Sequence, residues 1–455
     1  MKSVFTIVFL ISTHILSAQI KSFSFDHSTF YKELSTFLKA NNNEEGQRAW
    51  SKFEVHLNNK NITSEQSDKL IDLCNTMLEK KMRPSPAFSE MLNAVTAFLN
   101  SGQTGDQFDT WMQASSELIK TGTSAQFVNF MKFSDPFFSL NALYASQSKT
   151  WKYNSYEFEM KVNNGIPEIH FPALDIVGLT AGDRTFIYDT KGTYFPLENK
   201  WVGYGGRVNW MKAQLDSNNV YGLLKNYSFD MEKAEVRIDS VTMHYIGYLP
   251  KPLSGVYTEK LIVNPNPDKM DYPQFKSYDN EIKIENIIEK VDYYGSFFLK
   301  GNKVIGAGED TTAARLVFRD NLGRKVMTAR SKSFLIKPED IFSQHAAVTL
   351  HTGQDSIFHP DVNLNYKSNN QTVTLTRGEI GASGSAYYSS FHKIDADIDQ
   401  IIWALNDTTL VMRNLSGGGE KRAYFESQDL FSQELYQSIQ AVSPANPLVT
   451  IKRYT

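Results

Sequence analysis

Residues Trp151–Gly165 read WKYNSYEFEMKVNNG, and the fold turns on this stretch. From Tyr156 to Val162 apolar and charged side chains alternate, the period-two signature of a strand with one wet face. Asn163-Asn164-Gly165 then supplies residues that tolerate positive φ, as a hairpin turn requires. The texture on either side of it differs.

Upstream, from about Asp26 to Ser148, apolar residues recur at helical spacing: Phe30, Leu34, Phe37 and Leu38, then Leu70, Ile71, Cys74, Met77 and Leu78, then Phe88, Met91, Leu92, Val95, Phe98 and Leu99. Their period near 3.6 predicts short amphipathic helices in antiparallel pairs. Starts are expected at Thr63 with Gln66, at Ser85 with Pro86, and at Asp135 with Pro136. Breaks are expected at Asn41–Asn43, Pro84 and Gly102.

Downstream the chain reads as strands: Tyr153–Val162, Thr185–Tyr188, Ala234–Tyr245, Ile282–Ile288, Ala314–Arg319, Ala347–Leu350, Val362–Tyr366 and Thr372–Arg377. Turns are expected at Lys191-Gly192, Asn321–Gly323 and Ser416–Gly419, and Gln433–Gln440 is a short helical candidate. The expected class is α+β: an all-α helical domain, residues 19–149, followed by a long β-rich region of stacked sheets of β-solenoid or β-jellyroll type. Within the β-rich region, residues 150–272 form a first domain and 273–455 a second. Segments beginning at Asp239, Asp355 and Asp407 each follow a strand with an Asp-Ser/Thr start, which suggests a strand-turn-strand repeat.

The chain opens MKSVFTIVFLISTHILSAQI, with Lys2, a short apolar run and small residues at Ser17 and Ala18, the pattern of a secretory signal peptide cleaved after Ala18. The apolar run is shorter than the roughly 20 residues that span a bilayer, so no transmembrane segment is expected after cleavage. No cysteine lies near Ala18 to carry a lipid. The single cysteine, Cys74, sits in a helical pattern and reads as a buried small hydrophobe. A formal charge of −3 without a basic cluster argues against nucleic acid as a partner.

Four stretches bear on chemistry. In VTLHTGQDSIFHPDVNLNY, residues 348–366, His351, His359 and Asp361 are metal-ligand types, although the segment is not helical and Pro360 favours an edge or a bend. The alternative is that Asp355 and Ser356 organise a turn while His359 packs on a half-buried face. WVGYGGRVNW, residues 201–210, offers Trp201, Tyr204 and Trp210 as a stacking surface for sugar rings, against core packing; its glycines lack the helix that a phosphate-cradling loop needs. Asp395, Asp397 and Asp399 start like a calcium loop, but Gln400 and Asn406 fail its later positions, and an alternating strand with a charged face fits as well. Ser146-Gln-Ser-Lys149 has the Ser-x-x-Lys spacing without its partner motifs.

The runs Lys276-Ser-Tyr278, YYGSFFLKG at Tyr293–Gly301, DSIFHP at Asp355–Pro360 and NLNY at Asn363–Tyr366, with the Ser-Ala-Gln end of the leader, resemble a group of large uncharacterised secreted proteins of Bacteroidota. The resemblance implies an exported protein that matches their N-terminal part or is a truncated copy. It transfers no catalytic residues. A fainter resemblance links Ala347–Tyr366 to the open β-jellyroll layers of lipopolysaccharide-transport proteins. The expected function is therefore an exported, non-enzymatic β-rich scaffold or binding protein of the cell envelope, in the periplasm or at the outer surface, with no cofactor. Its expected partner is an envelope protein or a glycan or lipid ligand. The alternatives are a carbohydrate-binding or carbohydrate-active protein and an envelope lipid or glycolipid carrier.

Overall fold

A computed structural model describes residues 21–266, 269–308, 312–415 and 422–428. The leader, the Ser416–Gly419 turn and the Gln433–Gln440 segment lie outside the described residues. As expected, helices come first and strands after: α1 His27–Lys39, α2 Glu44–Asn58, α3 Ser64–Glu79, α4 Ser89–Ser101, α5 Gly105–Thr121 and α6 Ser124–Leu140 precede a long β-rich region.

Apart from α4, which follows Phe88 with no side-chain cap, the helices start where side chains engage the free amides of the first turn. Thr63 and Gln66 form the expected reciprocal capping box, and Thr104 with Gln107 and Thr123 with Gln126 repeat it. Helix α4 begins at Ser89, just beyond Ser85, which is non-helical (φ −126°, ψ 138°). The start expected at Asp135 does not occur. Helix α6 runs through Pro136 and ends one turn later, on Asn141 in the left-handed region, so the proline disturbs only its last turn.

The chain divides into two compact units. The first comprises residues 1–181, 187–204 and 228–233, so the helices and the first strands share one unit rather than forming separate bodies. Aromatic rings join them: Phe137 of α6 stacks on Tyr153 (4.8 Å) and meets Phe158 edge-on (5.1 Å), and the Tyr153 hydroxyl donates to the Phe137 carbonyl at 3.0 Å. Buried rings this close add about 0.5–1.5 kcal/mol per pair beyond their burial.

The second unit, residues 182–186, 205–227 and 234–455, is over its described residues a meander whose long strands bend. Strand Val291–Lys300 changes partners at Gly295: Val291–Tyr294 pairs with Arg315–Phe318, and Ser296–Lys300 pairs with Lys303–Ala307. Strand Asp340–Thr352 does the same, its first residues pairing with Leu335–Ile336 and its later ones with Met327–Arg330. Its hairpin partner, Asp355–Lys367, pairs with Tyr388–Ser389 near its start and with Thr372–Arg377 near its end. Two ladders result, joined by strands common to both. They face each other, since Phe318 of one lies 5.0 Å from Tyr366 of the other, and the Tyr387 hydroxyl reaches the Leu375 carbonyl at 3.1 Å. The space between is packed: Val291, Leu316, Phe318, Met327, Ile341, Val362, Leu364, Val373 and Leu375 are fully buried. All of these pairings are antiparallel, the form of a folded meander rather than of parallel coils.

Bends need room and extra residues. Around Ser343–Ala346 the strand Asp340–Thr352 carries an additional residue, and around His359–Val362 its partner does, so the two irregularities compensate and the register recovers. Pro360, which has no ladder donor, sits at the second. At Gly306 an added Cβ would run into the buried ring of Tyr293. Gly306→Ala is therefore expected to cost about 1–3 kcal/mol through overpacking, measured by urea denaturation; an unchanged midpoint would contradict this account of the bend.

The three Asp-Ser/Thr segments do not share one plan. Asp239 lies inside the single strand Glu235–Tyr245, at a register break where Ser240 takes φ 59°. Asp355 instead opens a strand after the Gly353-Gln354 turn, and Asp407 lies beyond the strand Gln400–Ala404. Lys191-Gly192, expected as a turn, lies within the strand Asp183–Phe195. An added Cβ on Gly192 would meet the Val202 carbonyl and the Trp201 ring, so this glycine serves a close approach of neighbouring strands.

Candidate cleft on the first unit

Strands Glu159–Asn163, Ile166–Thr180, Asp183–Phe195 and Lys200–Tyr204 build the site. Because alternate residues of a strand share a face, Glu159 and Lys161 stand opposite His170 and Glu168, and Lys191 and Thr193 stand opposite Tyr204 and Val202. The ladder thus gathers acids, bases, a hydroxyl and a ring on one sheet face. A cleft of about 600 Å³ opens there, lined by Glu157, Phe158, Glu159, His170, Phe171 and Lys191 among others.

Its polar groups are held in place. The His170 ring lies with Nδ1 2.9 Å from the Thr193 hydroxyl and Nε2 3.3 Å from a Glu168 oxygen. A carboxylate only accepts, so Nε2 is the nitrogen placed to donate, while the Thr193 hydroxyl meets Nδ1 as donor or acceptor. Glu168 also accepts from the Asn163 amide at 2.9 Å, and Glu159 pairs with Lys161 at 2.9 Å. The Lys191 ammonium lies 5.1 Å from the centre of the Tyr204 ring, a cation–π contact. Phe171 forms part of the floor, with Trp201 beyond it at 6.1 Å.

The three aromatic candidates separate. Tyr204 is 56% exposed beside the cleft, whereas Trp201 and Trp210 are fully buried and make no stacking surface. Trp210 donates from its indole N–H to the Pro273 carbonyl at 3.0 Å and packs edge-on against Tyr257.

His351, His359 and Asp361 are not brought together either. His351 stands opposite Ser356, three places along the ladder from His359, and this odd separation puts the two imidazoles on opposite sheet faces. His359 is fully buried, and both ring nitrogens are engaged: Nδ1 accepts from the Asp361 amide at 3.0 Å and Nε2 donates to the Ser385 carbonyl at 2.7 Å. Burial holds its pKa below the usual histidine value. Asp361 turns to His345, 3.1 Å away. His359 thereby satisfies an amide that the irregular register at Pro360 withdraws from the ladder. Among the described residues no group of three or more His, Cys, Asp or Glu side chains is placed to hold a metal ion.

The remaining candidates are structural. Ile394–Asp397 is a strand with Ala396 inward; Asp397 and Asp399 pair with Arg377, and Asp395 accepts from Gln428. Ser146 caps its own turn, donating to the Lys149 carbonyl at 3.1 Å. Cys74 is buried, and desolvation pushes its thiol pKa far up, which leaves it protonated and unreactive.

A second cleft, of about 520 Å³, lies on the second unit, where Ile305, Leu335 and Phe342 form a half-buried apolar row bordered by Lys332, Gln344 and His345. No helix among the described residues is long and apolar enough to cross a membrane. No known protein family matches the chain, and a search of curated proteins returns no match.

Proposed function

We propose that the protein is an exported, non-enzymatic β-rich binding protein of the cell envelope, and that the cleft around His170 is its binding site. The observation that carries this reading is the fixed lining of that cleft. His170 is clamped on both nitrogens, Lys191 rests on Tyr204, and Glu159 is tied to Lys161. Groups already held in place lose little freedom when a ligand arrives, which favours recognition. Export rests on the leader pattern of residues 1–18 and on the resemblance to secreted proteins of Bacteroidota.

The second reading, a carbohydrate-active enzyme, is favoured by one feature: Thr193, His170 and Glu168 are connected as hydroxyl, imidazole and carboxylate, the order in which an imidazole activates a nucleophile. One experiment addresses both. Protein recovered from fractionated cells is expected in the envelope or periplasm, beginning at Gln19. It should bind washed envelope material without releasing fragments from it, and His170→Ala/Lys191→Ala should weaken that binding about tenfold. Cytoplasmic protein retaining residues 1–18, or fragment release that Thr193→Ala abolishes, overturns the binding reading.

A further inference from the structure

We infer that the cleft around His170 takes a neutral, hydroxyl-rich sugar ring, an inference that rests on the binding reading above and names its ligand. A sugar ring has two kinds of surface, a C–H face and an edge of hydroxyls. The C–H face needs exposed or half-exposed aromatic carbon. Here Phe158, with Phe171 5.8 Å from it, supplies one such wall, and Tyr204, outside the lining and 56% exposed, extends it at the rim beyond Lys191.

The hydroxyl edge needs acceptors and donors in alternation. Ionised carboxylates are acceptors only and take two hydroxyl donors each; Glu157 and Glu159 line the cleft as such acceptors. Lys191 is the complementary donor, and hydrogen bonds with one charged partner are about twice as strong as neutral ones. The charge balance selects against acidic ligands. Two acids, Glu157 and Glu159, line the cleft against one lysine, Lys191, and Glu159 is already matched by Lys161. The lining therefore offers no surplus of positive charge to a phosphate or uronate, whereas uncharged hydroxyls meet acceptors and a donor.

The cleft is also the right size. At about 600 Å³ it falls within the ≈ 300–1,000 Å³ typical of small-ligand sites, and its open, shallow form on a sheet face admits part of a longer glycan.

The test titrates the full-length mature protein with maltose, cellobiose and N,N′-diacetylchitobiose, using calorimetry and saturation-transfer NMR on the sugar protons. At least one of these probes is expected to bind, with transfer strongest to ring C–H protons. Tyr204→Ala and Glu159→Gln should each weaken it about tenfold, the loss of one ring face or one charged acceptor, while Phe391→Ala, an exposed ring in the other unit, leaves it unchanged. Thermal unfolding of each variant, unchanged for these exposed positions, separates lost binding from lost folding. Binding that persists in both cleft variants overturns the proposal, as does an absence of binding by all three probes. If sugars fail and envelope binding still depends on His170 and Lys191, the ligand class is wrong and the binding reading stands. Displacement of envelope material by polylysine would assign the acidic lining to a cationic peptide and likewise overturn the sugar.

Discussion

Replacing Lys212 by methionine is expected to lower the stability of the second unit by about 3–5 kcal/mol at pH 7, the usual consequence of removing one partner from a buried ion cluster. Lys212 reaches Asp183 at 3.0 Å and Glu259 at 2.6 Å, and the two carboxylates are only 3% and 2% exposed. Glu259 also accepts from the Tyr257 and Thr185 hydroxyls, each at 3.2 Å, and Asp183 from the Ile262 amide at 3.0 Å. The lysine is the ammonium shared by both acids. Burial already raises the Glu259 pKa above 4.5, with Lys212 opposing it, so removing the lysine raises it further. A raised folded-state pKa means that the folded protein binds more protons than the unfolded chain, and stability then rises as the pH falls towards about 4.5. The deficit of Lys212→Met should therefore narrow between pH 7 and pH 5 in urea denaturation. A deficit under about 1 kcal/mol, or one equal at both pH values, would show that the cluster is not coupled as described.

His359→Leu comes second, at about 2–4 kcal/mol. Leucine fills the space but leaves the Asp361 amide without its acceptor, a penalty of about 1–3 kcal/mol, and reshapes the packing against Tyr387, now 4.6 Å from the imidazole. The Ser385 carbonyl suffers less, because Arg377 also donates to it at 3.3 Å. The pH dependence has the opposite sign to that of Glu259. The folded ring is held neutral, so its pKa lies below the unfolded value of 6.5. Its stabilising contribution is complete above pH 6.5 and is lost as the pH falls from there through the folded pKa. The wild type should lose stability over that window more steeply than His359→Leu. Equal slopes would mean that His359 is not the titrating group, and unchanged hydrogen exchange at Asp361 would remove the role of the ring as an acceptor.

Much of the architecture was legible because periodicity reports burial directly. Leu70, Ile71, Cys74 and Met77 follow one helical face and are all buried. The capping pattern of Thr63 and Gln66 also holds at Thr104 and Thr123, which carry the same Thr-x-x-Gln spacing. Parity would have split the aromatic trio: Trp201 and Tyr204 are three residues apart on one strand, and an odd separation sends side chains to opposite faces. The cleft was not legible in this way. Thr193 and His170, 23 positions apart in sequence, meet only because two strands pair in one register, and a single chain of letters does not contain that register. The buried ion cluster is hidden for the same reason: Asp183, Lys212 and Glu259 come from three separate segments. Pro360 did mark a bend, but the compensating residue near His345 carries no such signature.

Because strands such as Val291–Lys300 and Asp340–Thr352 belong to both ladders of the second unit, neither ladder can detach as an independent body. Separating the layers would require breaking hydrogen bonds along the strands that pass between them, so the layers should open together rather than in succession. Amide exchange at Leu316 and at Leu375, in opposite ladders, is then governed by one opening event, and the unit behaves as a single cooperative block.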